Sequence, residues 1–217
     1  MQQKRQPNIA QQSGFTIVEL MIATVVFSVV LLITTVAVIF VTKSYLKGDN
    51  EAATQDIARS VMTSITQDIQ FNRSVSVIIP PAGGTSNYYC IGNHVYVYQI
   101  GQEIPNSEQH ALLVFATSCP SNLTSPPGST YAADLKSGNV GATVAQELLA
   151  QNMRLGQLSI TKLPGTGNGY QVSITVAYGA DDLLTGVGAN YSCKSQTFGG
   201  QFCAVSTLTT TVTSRIK

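Results

Sequence analysis

Glu19 carries more chemistry than any other residue of this chain. It stands at the head of an apolar run: from Leu20 through Thr42 no residue is charged, and about 20 such residues cross a bilayer core as helix. An ionised carboxylate in hydrocarbon is costly unless paired, so an acid there implies a cationic partner or a place near the interface. Just ahead, the short stretch Met1–Gly14, directly before Phe15, carries Lys4 and Arg5 and no acid. Two opposite charges buried together cost far less than either alone.

The remaining reactive side chains are few. Cys90, Cys119, Cys193 and Cys203 all follow the apolar run. An even count in an exported domain favours two disulfides, with three connectivities open. Pairing neighbours across one loop gives Cys90–Cys119 and Cys193–Cys203 as the expected bonds. No C-x-x-C pair occurs, and His94 and His110 lack zinc-ligand spacing around the cysteines, so a metal site is the poorer reading. Asp181-Asp182 is a weak calcium candidate, because two adjacent acids supply too few oxygens without backbone help. Gly165-x-Gly167-x-Gly169 lacks the spacing of a nucleotide loop and no helix follows it. Asn72-Arg73-Ser74, Asn122-Leu123-Thr124 and Asn190-Tyr191-Ser192 fit the glycosylation sequon. Neither histidine has an acid or nucleophile beside it in sequence, so no catalytic constellation or cofactor is expected.

Charged residues make up 11 % of the chain and the net charge is +1. No basic face points to nucleic acid and no acidic tail to a charged partner. The Thr/Ser-rich, charge-poor remainder suits an extracellular β-rich domain.

Ser13-Gly14-Phe15-Thr16-Ile17-Val18-Glu19-Leu20, with the basic leader before it, resembles the cleavage signal of type IV pilins and pseudopilins. The resemblance covers about 40 residues. It implies that a membrane prepilin peptidase cuts after Gly14 and that Phe15 becomes N-methylated. It also implies that Glu19 meets the amine of a neighbouring subunit during filament assembly. The expected partners are the prepilin peptidase, other pilin subunits through the N-terminal helix, the inner-membrane assembly platform, and the membrane before assembly. The precursor would be a single-pass inner-membrane protein held leader-inside by Lys4 and Arg5, and the product an extracellular filament. Without the leader about 200 residues remain, more than is usual for a major subunit of the family. Val36 stands where major pilins often have a helix-softening proline. Glu147–Leu155 ahead of a strand, and the Thr-rich final strand, resemble the larger minor pilins. The reading is therefore a minor pilin serving adhesion, motility or DNA uptake. A pseudopilin of a type II secretion or competence machine is the alternative within the family. A membrane-anchored adhesin or hydrolase domain is the alternative outside it.

The elements that must position these residues follow. The fold class is α+β: a long N-terminal helix packed on an antiparallel β-sheet head. The expected divisions are a leader over 1–14, a transmembrane and polymerisation helix over 15–42, its amphipathic half over 43–73, and a head over 74–217. No proline occurs between Pro7 and Pro80, so one helix of about 80 Å can run from Thr16 to Phe71, weakened only at Gly48. Beyond Lys43 the residues Leu46, Ala53, Ile57, Ala58, Val61, Met62, Ile65, Ile69 and Phe71 share one half of the helical wheel. Asp68 falls in that apolar half, which requires a frayed end or a partner on the sheet. Strands are expected at Tyr88–Ile91, His94–Ile100, Ala111–Thr117, Leu155–Leu163, Tyr170–Tyr178 and Ala204–Ile216, and a short helix at Thr143–Asn152. The Gly/Asn-rich stretch between Leu163 and Tyr170 reads as a hairpin turn.

Overall fold

A long charge-free run without proline has no reason to leave the helical conformation, and it does not. In the computed structural model α1 runs unbroken over Ile17–Phe71. The structure describes residues 14–72, 75–78, 87–104, 110–116, 139–140, 143–165, 168–194 and 199–215. The chain falls into two units, Met1–Lys43 and Ser44–Lys217. Within the first, every described residue is exposed.

In the second unit, α1 buries one stripe: Thr54, Ala58, Val61, Met62, Ile65 and Ile69. The spacing of three and four residues is that of an amphipathic helix. Phe71 stays 59 % exposed, and Ala53 is exposed as well, so the stripe is narrower than the wheel suggests. Thr54 sits within the stripe because its hydroxyl donates to the carbonyl of Asn50 at 2.7 Å, leaving only its methyl to be packed.

The strands are β1 Val75–Ile78, β2 Asn87–Ile91, β3 His94–Tyr98, β4 Leu112–Phe115, β5 Asn139–Val140, β6 Thr143–Val144, β7 Gln146–Glu147, β8 Met153–Lys162, β9 Gly169–Tyr178, β10 Leu184–Thr185, β11 Ser192–Cys193 and β12 Ala204–Thr213. They form a five-stranded sheet β1-β2-β3-β4-β7, a three-stranded sheet β12-β9-β8 and two small pairs, β10-β11 and β5-β6. Among the described residues every pairing between these strands is antiparallel, and one isolated parallel bridge joins Ile100 to Leu155. The α+β expectation is thus met.

Both faces of the larger sheet are covered. Tyr89, Ile91, Tyr96, Tyr98 and Leu112 join the main core with the α1 stripe and the inner residues of β8 and β9. Tyr88, Cys90, Val95, Val97, Leu113 and Phe115 alternate with them and form a second core on the opposite side. Each fully buried aliphatic or aromatic contributes about 1.5–3 kcal/mol relative to exposure.

Two local results differ from the sequence reading. Thr143–Asn152 is not helical: it holds β6, β7 and the turn into β8. The cause is long-range, because Gln146 and Glu147 pair with Val114 and Leu113, and the Leu148 N–H donates to Leu112 O at 3.0 Å. Strand β1 was not anticipated. It pairs Val75–Ile78 with Ile91–Tyr88 immediately after the helix ends. Between β2 and β3 the turn Gly92-Asn93 places Gly92 at φ +59°. A Cβ there would lie 2.0 Å from the Asn72 side chain, so glycine is required twice over.

Candidate functional site

Thr16 and Glu19 form a reciprocal cap at the head of α1. The Thr16 N–H donates to Glu19 Oε2 at 2.9 Å, and the Thr16 hydroxyl donates to the same oxygen at 3.0 Å. In return, the Glu19 N–H donates to Thr16 Oγ1 at 3.3 Å. This is the S/T-x-x-E capping box, which satisfies amides that a helix start leaves orphaned. The signal was present in Thr16-x-x-Glu19, and the chemistry-first reading of Glu19 passed over it. Capping fixes the carboxylate against the first turn, at the Phe15–Thr16 amide. Phe15 itself is 85 % exposed. A Cβ added at Gly14 would meet nothing within 4 Å, so this fold places no demand for glycine there.

Beyond the cap, α1 is the one helix among the described residues long and apolar enough to cross a membrane. Its few hydroxyls are turned inward onto the backbone. Ser28 donates to Thr24 O, Thr34 to Val30 O, Thr35 to Leu31 O and Thr42 to Val38 O, at 2.7–3.0 Å. The lipid-ready surface therefore carries no unsatisfied hydroxyl donor at these positions.

The second unit offers three polar clusters. Asp68, the acid on the apolar face of the helix, has its partners on the sheet. Tyr96 Oη donates to Asp68 Oδ2 at 2.6 Å, and His94 Nδ1 lies 2.7 Å from the same oxygen. Ser64 Oγ stands 3.2 Å from Tyr96 Oη. Burial, with the Asp68 carboxylate beside it, pushes the Tyr96 phenol up, so it stays a donor. The group ties the end of α1 to β3.

Arg154 is 3 % exposed. Its guanidinium donates to Glu103 Oε2 at 2.9 Å, to the Gly179 carbonyl at 2.9 Å, and to Asp181. The Asp181 carboxylate is thus occupied by an arginine of the same chain. No trio of His, Cys, Asp or Glu able to hold a metal occurs among the described residues. Sequence reading missed Arg154, since partners 51 and 27 residues away leave no local pattern.

The third cluster joins β4 and β7. Glu147 accepts from the N–H groups of Ala111 at 2.9 Å, Leu112 at 3.1 Å and Leu149 at 2.9 Å. Its Oε2 lies 3.3 Å from His110 Nδ1. Burial pushes the Glu147 carboxyl up to about 7 against the pull of those donors, and pushes His110 below its ordinary range.

Cys193 and Cys203 are joined in a disulfide that pins β11 to the start of β12. Cys90 is also disulfide-bonded, while Cys119 lies outside the described residues, as does the Asn122 sequon. Asn72 Nδ2 is engaged by the Asp68 carbonyl at 2.8 Å, and Asn190 is exposed at the end of a 3-10 turn.

Neither the curated proteins nor the solved structures include a match to this chain. The capped apolar helix, the acid at its head and the basic leader do have a counterpart: residues 9–35 match the family described as the prokaryotic N-terminal methylation motif, and the chain therefore carries the signal of type IV pilins and pseudopilins.

Proposed function

We propose that this protein is a structural subunit of a type IV pilus-like filament, stored in the membrane and assembled through its N-terminal helix. The prepilin peptidase cuts between Gly14 and Phe15, and Phe15 is methylated on its new amine. Residues 15–42 then serve as membrane anchor and filament core, residues 43–73 as the bridge into the head, and 74–217 as the exposed head. Glu19 pairs with the Phe15 amine of a neighbouring subunit. Cys90 and Cys119 make the second disulfide of the head.

One observation carries this reading. The helix places a single acid, Glu19, at its first turn, followed to Lys43 by a surface with no other charge and every residue exposed. A plain anchor needs the apolar surface but has no use for the acid. The glycine at 14 fits the same view: among the described residues nothing lies within 4 Å of a Cβ built there, so a larger side chain would have room and the small residue suits a site that is acted on.

A minor subunit fits better than a major one, because the mature chain is large and Val36 replaces a softening proline. N-terminal mass spectrometry of membrane or filament material tests the core proposal. The expected mature protein starts at Phe15 and carries an N-methyl group. A start at residue 1, or anywhere beyond residue 36, refutes it. Scarcity in sheared surface filaments separates a minor from a major pilin, and complete absence from them points to a pseudopilin.

A further inference from the structure

We propose that His110 and Glu147 act as a one-proton pair that holds the seam between β4 and β7 at near-constant strength from neutral to mildly acidic pH. Glu147 stands where β7 ends, and its carboxylate does the work of missing strand carbonyls. It takes the Ala111 and Leu112 amides at the start of β4, and the Leu149 amide on its own side. The two side chains are only 16 % and 15 % exposed. His110 Nδ1 is buried and makes no hydrogen bond among the described residues, although Glu147 Oε2 is 3.3 Å away. At that separation a proton on either group acts directly on the charge of the other.

His110 is the one titratable side chain found against Glu147 among the described residues. From β3, Tyr98 pairs its strand with Leu112, but its phenol is engaged with Tyr89. Among the described residues no lysine or arginine forms an ion pair with Glu147. No third charge is found against the pair among the described residues, and burial acts on its two members with opposite sign. Glu147 takes up protons more readily folded than unfolded, so its contribution is full below the unfolded carboxylate range and fades as pH rises toward about 7. His110 takes them up less readily folded, so its contribution is present above about 6.5 and fades as pH falls. Over the range where both act, one gain offsets the other.

The test is amide exchange of the full-length chain in detergent micelles at pH 8 and pH 5.5, corrected for intrinsic exchange. The seam amides 110–112 and 147–149 are read against 172–176 of β9 as reference. In His110→Asn, seam protection should rise on acidification by roughly tenfold or more; in Glu147→Gln it should fall, by up to about tenfold. Wild type should change less than either variant. A seam that ignores pH in both variants, or slopes of the same sign, overturns the proposal. If either variant also loses protection in β9, infrared titration of the wild-type carboxyls decides. A buried carboxyl titrating near neutrality supports the pair, and titration of all carboxyls in the ordinary range refutes it.

Discussion

On the proposed reading, Glu19 has two physical roles that a single substitution can separate. Within its own chain it caps α1 through Thr16 N and Oγ1 at 2.9 and 3.0 Å, a contribution of about 1 kcal/mol by analogy with other caps. On the proposed reading it also neutralises a neighbour's amine, and a buried charge left unpaired costs about 3–5 kcal/mol. Glu19→Gln retains a carbonyl oxygen for the cap and removes the charge. Glu19→Val removes both. If charge pairing drives assembly, both variants should enter filaments roughly a hundredfold to a few thousandfold less well, with Val at most about tenfold below Gln. If capping were the whole role, Gln would behave as wild type and only Val would fall, by less than tenfold. Glu19→Asp should lie between, since the charge survives on a shorter reach. Thr16→Val, which removes hydroxyl caps and keeps the charge, should cost less than tenfold. The assay compares cleaved subunit in membranes with subunit in sheared filaments, by quantitative immunoblot. Membrane insertion should be unchanged or improved in both uncharged variants. Wild-type incorporation of Glu19→Gln would refute charge pairing for this subunit.

Three further outcomes concern the head, each read by chemical denaturation of the detergent-solubilised chain. Replacing both Cys193 and Cys203 by serine opens a link spanning 10 residues and should cost about 3 kcal/mol; a loss below about 0.5 kcal/mol would mean the segment is ordered without it. Gly92→Ala should cost at least about 2 kcal/mol, from positive φ and the collision with Asn72 together, and adding Asn72→Ala should recover only the collision part. Asp68→Leu should cost about 2–3 kcal/mol, because Tyr96 and His94 lose a charge-assisted acceptor, whereas Asp68→Asn should cost less.

What was legible in the sequence was whatever depends on neighbours in sequence. The charge-free run and absent prolines dictate α1, and its observed end at Phe71 follows from the same pattern. The β8–β9 hairpin was announced by its Gly/Asn-rich turn and flanking β-branched residues. Asp68 was conspicuous because it broke the wheel, and the break itself pointed to a sheet partner. What was not legible depends on distant groups. Val144, Leu148 and Leu149 have helix-like spacing, yet the segment is held extended by β4, more than 30 residues earlier. Local pattern cannot distinguish a short helix from an edge strand whose ladder is completed by a glutamate side chain. Arg154 reads as a surface cation until Glu103, Asp181 and Gly179 are brought around it.

The surface of the first unit explains why one carboxylate can govern assembly. Phe15, Ile17 and Leu32 are 85, 78 and 67 % exposed, and burying each such side chain away from water is favourable by about 1.5–3 kcal/mol. That drive is satisfied equally by lipid and by other apolar helices, so it cannot itself favour a filament over the membrane. The hydroxyls do not break the tie, because Ser28, Thr34, Thr35 and Thr42 are committed to their own backbone in either setting. Shape complementarity is available to every pair of helices along the run. The charge on Glu19 is not: in lipid it has its cap, and on the proposed reading it gains a neighbour's amine in a bundle of cleaved subunits. On the proposed reading, the one group that makes storage in the membrane costly is therefore the group that makes leaving it favourable, and peptidase cleavage at Gly14 supplies the missing partner.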